Sequence, residues 1–258
     1  MNEPTGANLD MAGLIRAVKK LAAKNQARTV DAAGENKLSG YLSRMNSGCS
    51  EAWAVVMSQD TEVELGSPKR VSVNAVLWTR EKELVTDNRC HVIGPDLSDS
   101  KDLERDYCQM VLLEIDQAAD PDPFKLESGQ FLPNLIPGVM ARMIPGRLWL
   151  RVSKAAISSG ITFSMLAAAV RKAYQEIPGV KGVECIFADS DPETAQGFAG
   201  IASEARILAG RHKRISLGKD GDYECEELNC DSCEDKPVCD IIREVKVIRR
   251  REKAISRS

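Results

Sequence analysis

Aromatic residues are scarce in this sequence, at 5%, and none is interleaved among its basic runs. That counts against nucleic acid as a partner, because single strands are held by stacking bases on aromatic rings. Only two histidines occur among the 258 residues. His91 abuts an apolar stretch and His212 lies in a basic run, so no nucleophile–His–acid constellation is evident and both read as structural. No apolar run approaches the roughly 18 residues of a transmembrane helix. The opening MNEPTGANLD lacks the basic-then-apolar pattern of a signal peptide. A cytoplasmic location with no membrane partner is expected. There is no internal repeat and no glycine-rich phosphate loop. The net charge is −3, so nothing global calls for a polyanionic partner.

What is present points to a layered α/β or α+β fold, a mixed sheet flanked by helices. Residues 8–24 carry Met11, Leu14, Ile15, Val18, Leu21 and Ala22 at helical spacing, with Asp10 placed to cap the start. Arg16, Lys19 and Lys20 form a basic face that reads as solvated. VSVNAVLW (71–78) and RLWLRV (147–152) alternate as half-buried strands do. CHVIG (90–94) and VECIF (183–187) are short apolar strands. MVLLEI (110–115) is a continuous apolar run, which suggests a strand buried on both faces. A proline- and glycine-rich stretch, 118–138, reads as a long connection. Thr162 is expected to cap a helix through Ile177. Asp191 and Pro192 are expected to start another.

Eight cysteines occur. Cys49, Cys90, Cys108 and Cys185 are scattered, and the last three read as small core residues. Cys225, Cys230, Cys233 and Cys239 crowd into fifteen residues with the spacing C-x4-C-x2-C-x5-C. A two-residue gap presents two thiolates to one centre, and the outer pair closes the site. Cytosolic thiols stay reduced, so such a cluster points to metal. The single two-residue gap favours a 4Fe–4S cluster, with zinc as the alternative. The surrounding acidic residues, Asp220 to Asp240, oppose the addition of an electron and imply a low potential. After Pro237 the pattern Val238, Ile241, Ile242, Val245, Ile248 reads as a helix. It sets Cys239 in the first turn, where the helix dipole favours a thiolate.

Basic runs lie on either side of this cluster, at 206–214 (Arg206, Arg211, Lys213, Arg214) and 243–257. They suit a solvated helix face, or an anionic ligand such as a coenzyme phosphate.

Four stretches then line up in order with one family. TEVELGSPK (61–69), HVIGPDL (91–97), LWLRVSKAAISSGITFSML (148–166) and EARILAGRHKRI (204–215) resemble segments of the catalytic subunit of acetyl-CoA synthase. That subunit is the beta subunit of the CO dehydrogenase/acetyl-CoA synthase complex, of anaerobic one-carbon metabolism. The resemblance implies three regions: an N-terminal helical segment (1–60), an α/β domain (61–217), and a four-cysteine metal-binding segment with a basic C-terminal helix (218–258). It implies coenzyme A as a ligand, with Trp149 and Arg151, and Arg211 and Arg214, on matching positions. Trp149 would serve equally as a core residue of its strand. Complex components or a ferredoxin-like electron carrier are the implied partners.

The family's centre is a cubane bridged to nickel. Its cubane cysteines begin C-x2-C-x8-C, and a later Cys-Gly-Cys holds one nickel. Here Cys230, Cys233 and Cys239 match in order, but the second gap is three residues shorter. Cys225 would replace the downstream ligand, and no Cys-Gly-Cys follows. A cubane held by four protein thiolates has no open site, so the synthase reaction is not expected of this chain.

Overall fold

The computed structural model describes residues 10–32, 34–48, 61–99, 104–119, 125–126, 136–144, 147–190, 192–209, 215–217 and 223–225. The chain divides into two compact units, Met1–Ala209 and Gly210–Ser258.

Helix α1 (Met11–Lys24) starts where the sequence places a cap. The Asp10 carboxylate accepts the Gly13 N–H at 2.6 Å, satisfying one of the free donors of the first turn. Leu14, Ile15, Val18 and Ala22 form its buried stripe. Asp10→Ala is expected to cost about 1 kcal/mol. That would lower the melting temperature by about 2–4 °C; an unchanged circular-dichroism melt would show the cap to be dispensable.

Eight strands form one mixed sheet: β1 (Arg28–Asp31), β2 (Thr61–Leu65), β3 (Ser72–Thr79), β4 (Arg89–Ile93), β5 (Glu104–Ile115), β6 (Val139–Ile144), β7 (Arg147–Ser153) and β8 (Val180–Ser190). The order is β1-β4-β8-β5-β2-β7-β6, and β3 also pairs with β5. β5 and β8 run antiparallel along nearly their whole lengths. β4 is parallel to β8, and β2 and β3 are parallel to β5. The outer pairs β1–β4, β2–β7 and β6–β7 are antiparallel.

Two strands share one edge of β5. Leu65 of β2 lies opposite Arg105, and Ser72 of β3 lies opposite Tyr107. Residues 66–71 leave the sheet between them. The base of this excursion is closed by Gly66 N–H to Arg105 O (2.8 Å), Tyr107 N–H to Val71 O (2.9 Å) and Val71 N–H to the Asp106 carboxylate (2.8 Å).

Helices cover both faces. On one, α1 and α5 (Pro192–Leu208) pack Leu14, Val18 and Phe198 against Leu77, Met110 and Ile186. On the other, α2 (Glu35–Gly48) and α4 (Phe163–Gln175) pack Tyr41, Met45, Phe163 and Val170 around Val111, Leu113 and Phe187. The short α3 (Lys154–Ser158) follows β7 directly and is capped by Ser153. β5 is thus buried on both faces, as its apolar run requires. Thr162 caps α4 as expected. Asp191 lies outside the described residues, and α5 begins at Pro192. The connection 118–138 is described only at 118–119, 125–126 and 136–138.

In the second unit, β9 (Ile215–Leu217) and β10 (Tyr223–Cys225) pair antiparallel. The helix expected after Pro237 lies outside the described residues. Among the described residues no helix is long and apolar enough to cross a membrane.

Candidate functional site

Strand β7 alternates as its sequence does. Leu148, Leu150 and Val152 point into the core, while Arg147, Trp149 and Arg151 line the opposite face and are half-buried. Trp149 therefore belongs to neither apolar core. Its indole Nε1 is buried with no hydrogen-bond partner among the described residues. The Arg151 guanidinium carbon sits 5.5 Å from the indole centroid, within cation–π range. Arg151 Nε also lies 3.1 Å from Glu64 Oε1, on the strand register that places Glu64 opposite Arg151. Both side chains of that pair are largely shielded, 13% and 19% exposed.

The charge of Arg151 is thus offset by Glu64, and its guanidinium lies against the indole. The exposed arginine beside the ring is Arg142, which the β6–β7 register sets directly opposite Trp149. Directly opposed residues share a face, so Arg142 stands next to the indole. Reading the sequence missed it; the alternation of VMARMI (139–144) was the available signal.

Arg147, at the start of β7, bridges to the excursion 66–71. Its guanidinium donates to the carbonyls of Ser67 (3.0 Å), Pro68 (3.4 Å) and Arg70. Ser72 fixes the same join, its hydroxyl accepting from Leu148 N–H (2.8 Å) and donating to Leu148 O (2.7 Å). Lys69 and Arg70 are left exposed on the excursion. An aromatic ring, an exposed arginine and a basic loop are thus anchored to one stretch of sheet.

The cysteines divide sharply. Cys90, Cys108 and Cys185 are buried and free. Burial pushes all three thiols well above the ordinary cysteine range, so they stay protonated and inert. They are the core residues the sequence suggests. Of the clustered four, the backbone of Cys225 ends β10, opposite Ile215. Cys230, Cys233 and Cys239 lie outside the described residues, as do Cys49, Arg211, Arg214 and His212. Among the described residues no group of three or more potential ligands is placed to hold a metal ion.

A family model for the CO dehydrogenase/acetyl-CoA synthase complex beta subunit matches residues 49–186, more than half of the chain. The chain belongs to this family. No curated protein matches it. The region matched to the beta-subunit family runs from before β2 into β8, so it contains the excursion 66–71 and the strands bearing Trp149, Arg142 and Arg151. The cysteine quartet lies beyond the matched residues.

Proposed function

We propose that this member of the acetyl-CoA synthase beta-subunit family is an accessory protein that binds coenzyme A and carries one 4Fe–4S cluster, without itself forming the acetyl group. The observation that carries the ligand reading is the half-buried indole of Trp149, flanked by Arg142 and held by the Arg151–Glu64 pair. A flat ring beside an exposed guanidinium suits an adenine next to its phosphates. Lys69 and Arg70 add positive charge on the excursion that Arg147 ties to the same strand.

The four clustered thiols support the cluster reading. Cys225, Cys230, Cys233 and Cys239 would hold it, and it would supply one-electron transfer at low potential among the acidic residues around it. The exchange partner would be a ferredoxin-like carrier or another component of the complex. Four thiolate ligands leave no iron open to substrate, which is why no synthase step is assigned.

Metal analysis of anaerobically purified protein tests the cluster. We expect four irons per chain and no nickel. Cys233→Ser should abolish the iron, whereas Cys185→Ser should leave it. One zinc in colourless protein would replace the iron–sulfur reading with a zinc-stabilised binding module. Coenzyme A titration tests the ligand separately. Quenching of tryptophan fluorescence is expected, weakened about 10-fold or more by Arg142→Ala, since a charge-assisted hydrogen bond contributes about 1.5–3 kcal/mol. Equal affinity in Arg142→Ala and in Trp149→Phe would remove this face as the site.

A further inference from the structure

Three neighbouring strands bring one side chain each to the edge of the sheet at β1. Thr29 on β1 and His91 on β4 are register partners, and Thr29 Oγ1 lies 3.0 Å from His91 Nδ1. His91 Nε2 lies 2.7 Å from Glu184 Oε1 on β8. Burial increases along this line. Thr29 is exposed, the His91 side chain is 18% exposed and that of Glu184 only 1%.

The hydrogen-bonding roles follow from counting donors. Glu184 Oε2 also receives Lys19 Nζ at 2.9 Å and Thr86 N–H at 2.7 Å. A carboxyl group surrounded by donors is ionised, and an ionised carboxylate can only accept. His91 Nε2 must therefore carry a hydrogen. In the neutral ring Nδ1 is then the bare nitrogen. The Thr29 hydroxyl has to donate to it. The result is a surface hydroxyl aimed at a base, whose ring is oriented by a buried acid. This is the relation of nucleophile, base and orienting group found in acyl transfer.

We infer that Thr29 is an acyl-acceptor hydroxyl, with His91 as its general base and Glu184 as the positioning residue, for small activated acyl esters. Thr29 Oγ1 forms a bond to the acyl carbon, and the bond from that carbon to the leaving oxygen breaks. The hydroxyl proton passes to His91 Nδ1 and then to the departing oxygen. The product is an acyl ester on Thr29, and no redox partner is involved. Lys19 shares the Glu184 carboxylate with His91, each holding one oxygen. The Arg89–Asp31 pair, 3.5 Å apart, lies alongside on the same two strands. The site stands independently of the coenzyme and cluster readings above, sharing no residue with them.

The test uses the full chain and p-nitrophenyl acetate, following phenolate release and mapping acetyl groups by peptide mass spectrometry. Acetylation at Thr29 is expected to outpace that at every other threonine. Thr29→Val, at an exposed edge position, should abolish it with an unchanged melting temperature, and Thr29→Ser should retain it. His91→Gln should slow it about 100-fold or more, the usual contribution of a positioned base. Acetylation of Thr29 no faster than of other exposed threonines would overturn the assignment. So would a folded His91→Gln protein that reacts at the wild-type rate.

Discussion

Replacing Glu184 with alanine is expected to remove a large share of the protein's stability. The change would leave Lys19 Nζ, the Thr86 N–H and His91 Nε2 without their shared acceptor; Lys19 Nζ would keep the carbonyl of Leu84 at 2.9 Å, and His91 would keep Thr29 on its other nitrogen. Breaking a buried ion pair from one side costs about 3–5 kcal/mol, because the other charge remains desolvated. A typical domain has about 5–15 kcal/mol in total. The melting temperature should fall by about 10 °C or more. A fall of less than about 3 °C would mean that the network carries no weight in the fold.

The same carboxylate predicts an acid limb. Burial alone would raise its pKa, but hydrogen bonds from His91, the Thr86 N–H and Lys19, with the Lys19 charge, overcome burial and hold it below the usual glutamate value of 4.5. A depressed folded pKa gives stabilisation that is complete above the unfolded value and is lost as pH falls through the lower folded one. Wild-type stability should therefore decline with pH below about 4.5, and the Glu184→Ala protein should decline less steeply over the same range. Parallel declines in the two proteins would place the acid sensitivity elsewhere.

Gly94→Ala should be almost as severe. Gly94 directly follows β4 with φ +89°, and a Cβ there would lie 1.9 Å from the carbonyl oxygen of Asp189. That carbonyl belongs to β8, which is fixed by β4 on one side and β5 on the other, so it cannot retreat without breaking pairing. Asp189 is itself buried and paired with Arg105 at 2.5 Å. The left-handed backbone alone costs a non-glycine residue of order 1–3 kcal/mol, and the clash adds to it. We expect a loss of about 3 kcal/mol or more in urea unfolding. Gly160 provides the control. Its φ is +76°, but nothing lies within 4 Å of a built Cβ. Gly160→Ala should show the backbone cost alone, about 1 kcal/mol. Equal losses at the two glycines would show that the close approach to Asp189 is not what matters.

Local signals were legible wherever one side chain decides one feature. Asp10 and Thr162 cap their helices, Pro192 opens α5, and the run from Met110 to Ile115 becomes a strand covered on both faces. Other elements were visible but passed over. Leu38, Tyr41, Leu42 and Met45 have helical spacing in α2, although Gly40 and the serines around it lower its propensity. Val63 and Leu65 alternate in β2. β1 offers less, since four mostly exposed residues at a sheet edge carry almost no pattern.

Side-chain partnerships were the least readable part. Lys19 reads as one cation on a solvated helix face, yet it reaches Glu184, 165 positions further along. His91 has partners 62 residues before it and 93 after it. Such meetings are set by strand order, which composition and periodicity do not encode. The direction of Trp149 was implicit in the alternation of Leu148, Leu150 and Val152, whereas the place of Arg142 beside it depends on the β6–β7 register.

The way β2, β7 and β6 join the rest of the sheet has a mechanical consequence. Among the described residues they meet β5 at two register pairs, Glu64–Glu104 and Leu65–Arg105, with Gly66 N–H, the Ser72 hydroxyl and the Arg147 guanidinium as further ties. The long β5–β8 ladder takes no part in that seam. The three strands that bear the indole and its arginines thus owe their place less to backbone pairing with β5 than to the apolar core that Leu65, Leu148, Leu150 and Val152 share with Val111 and Leu113.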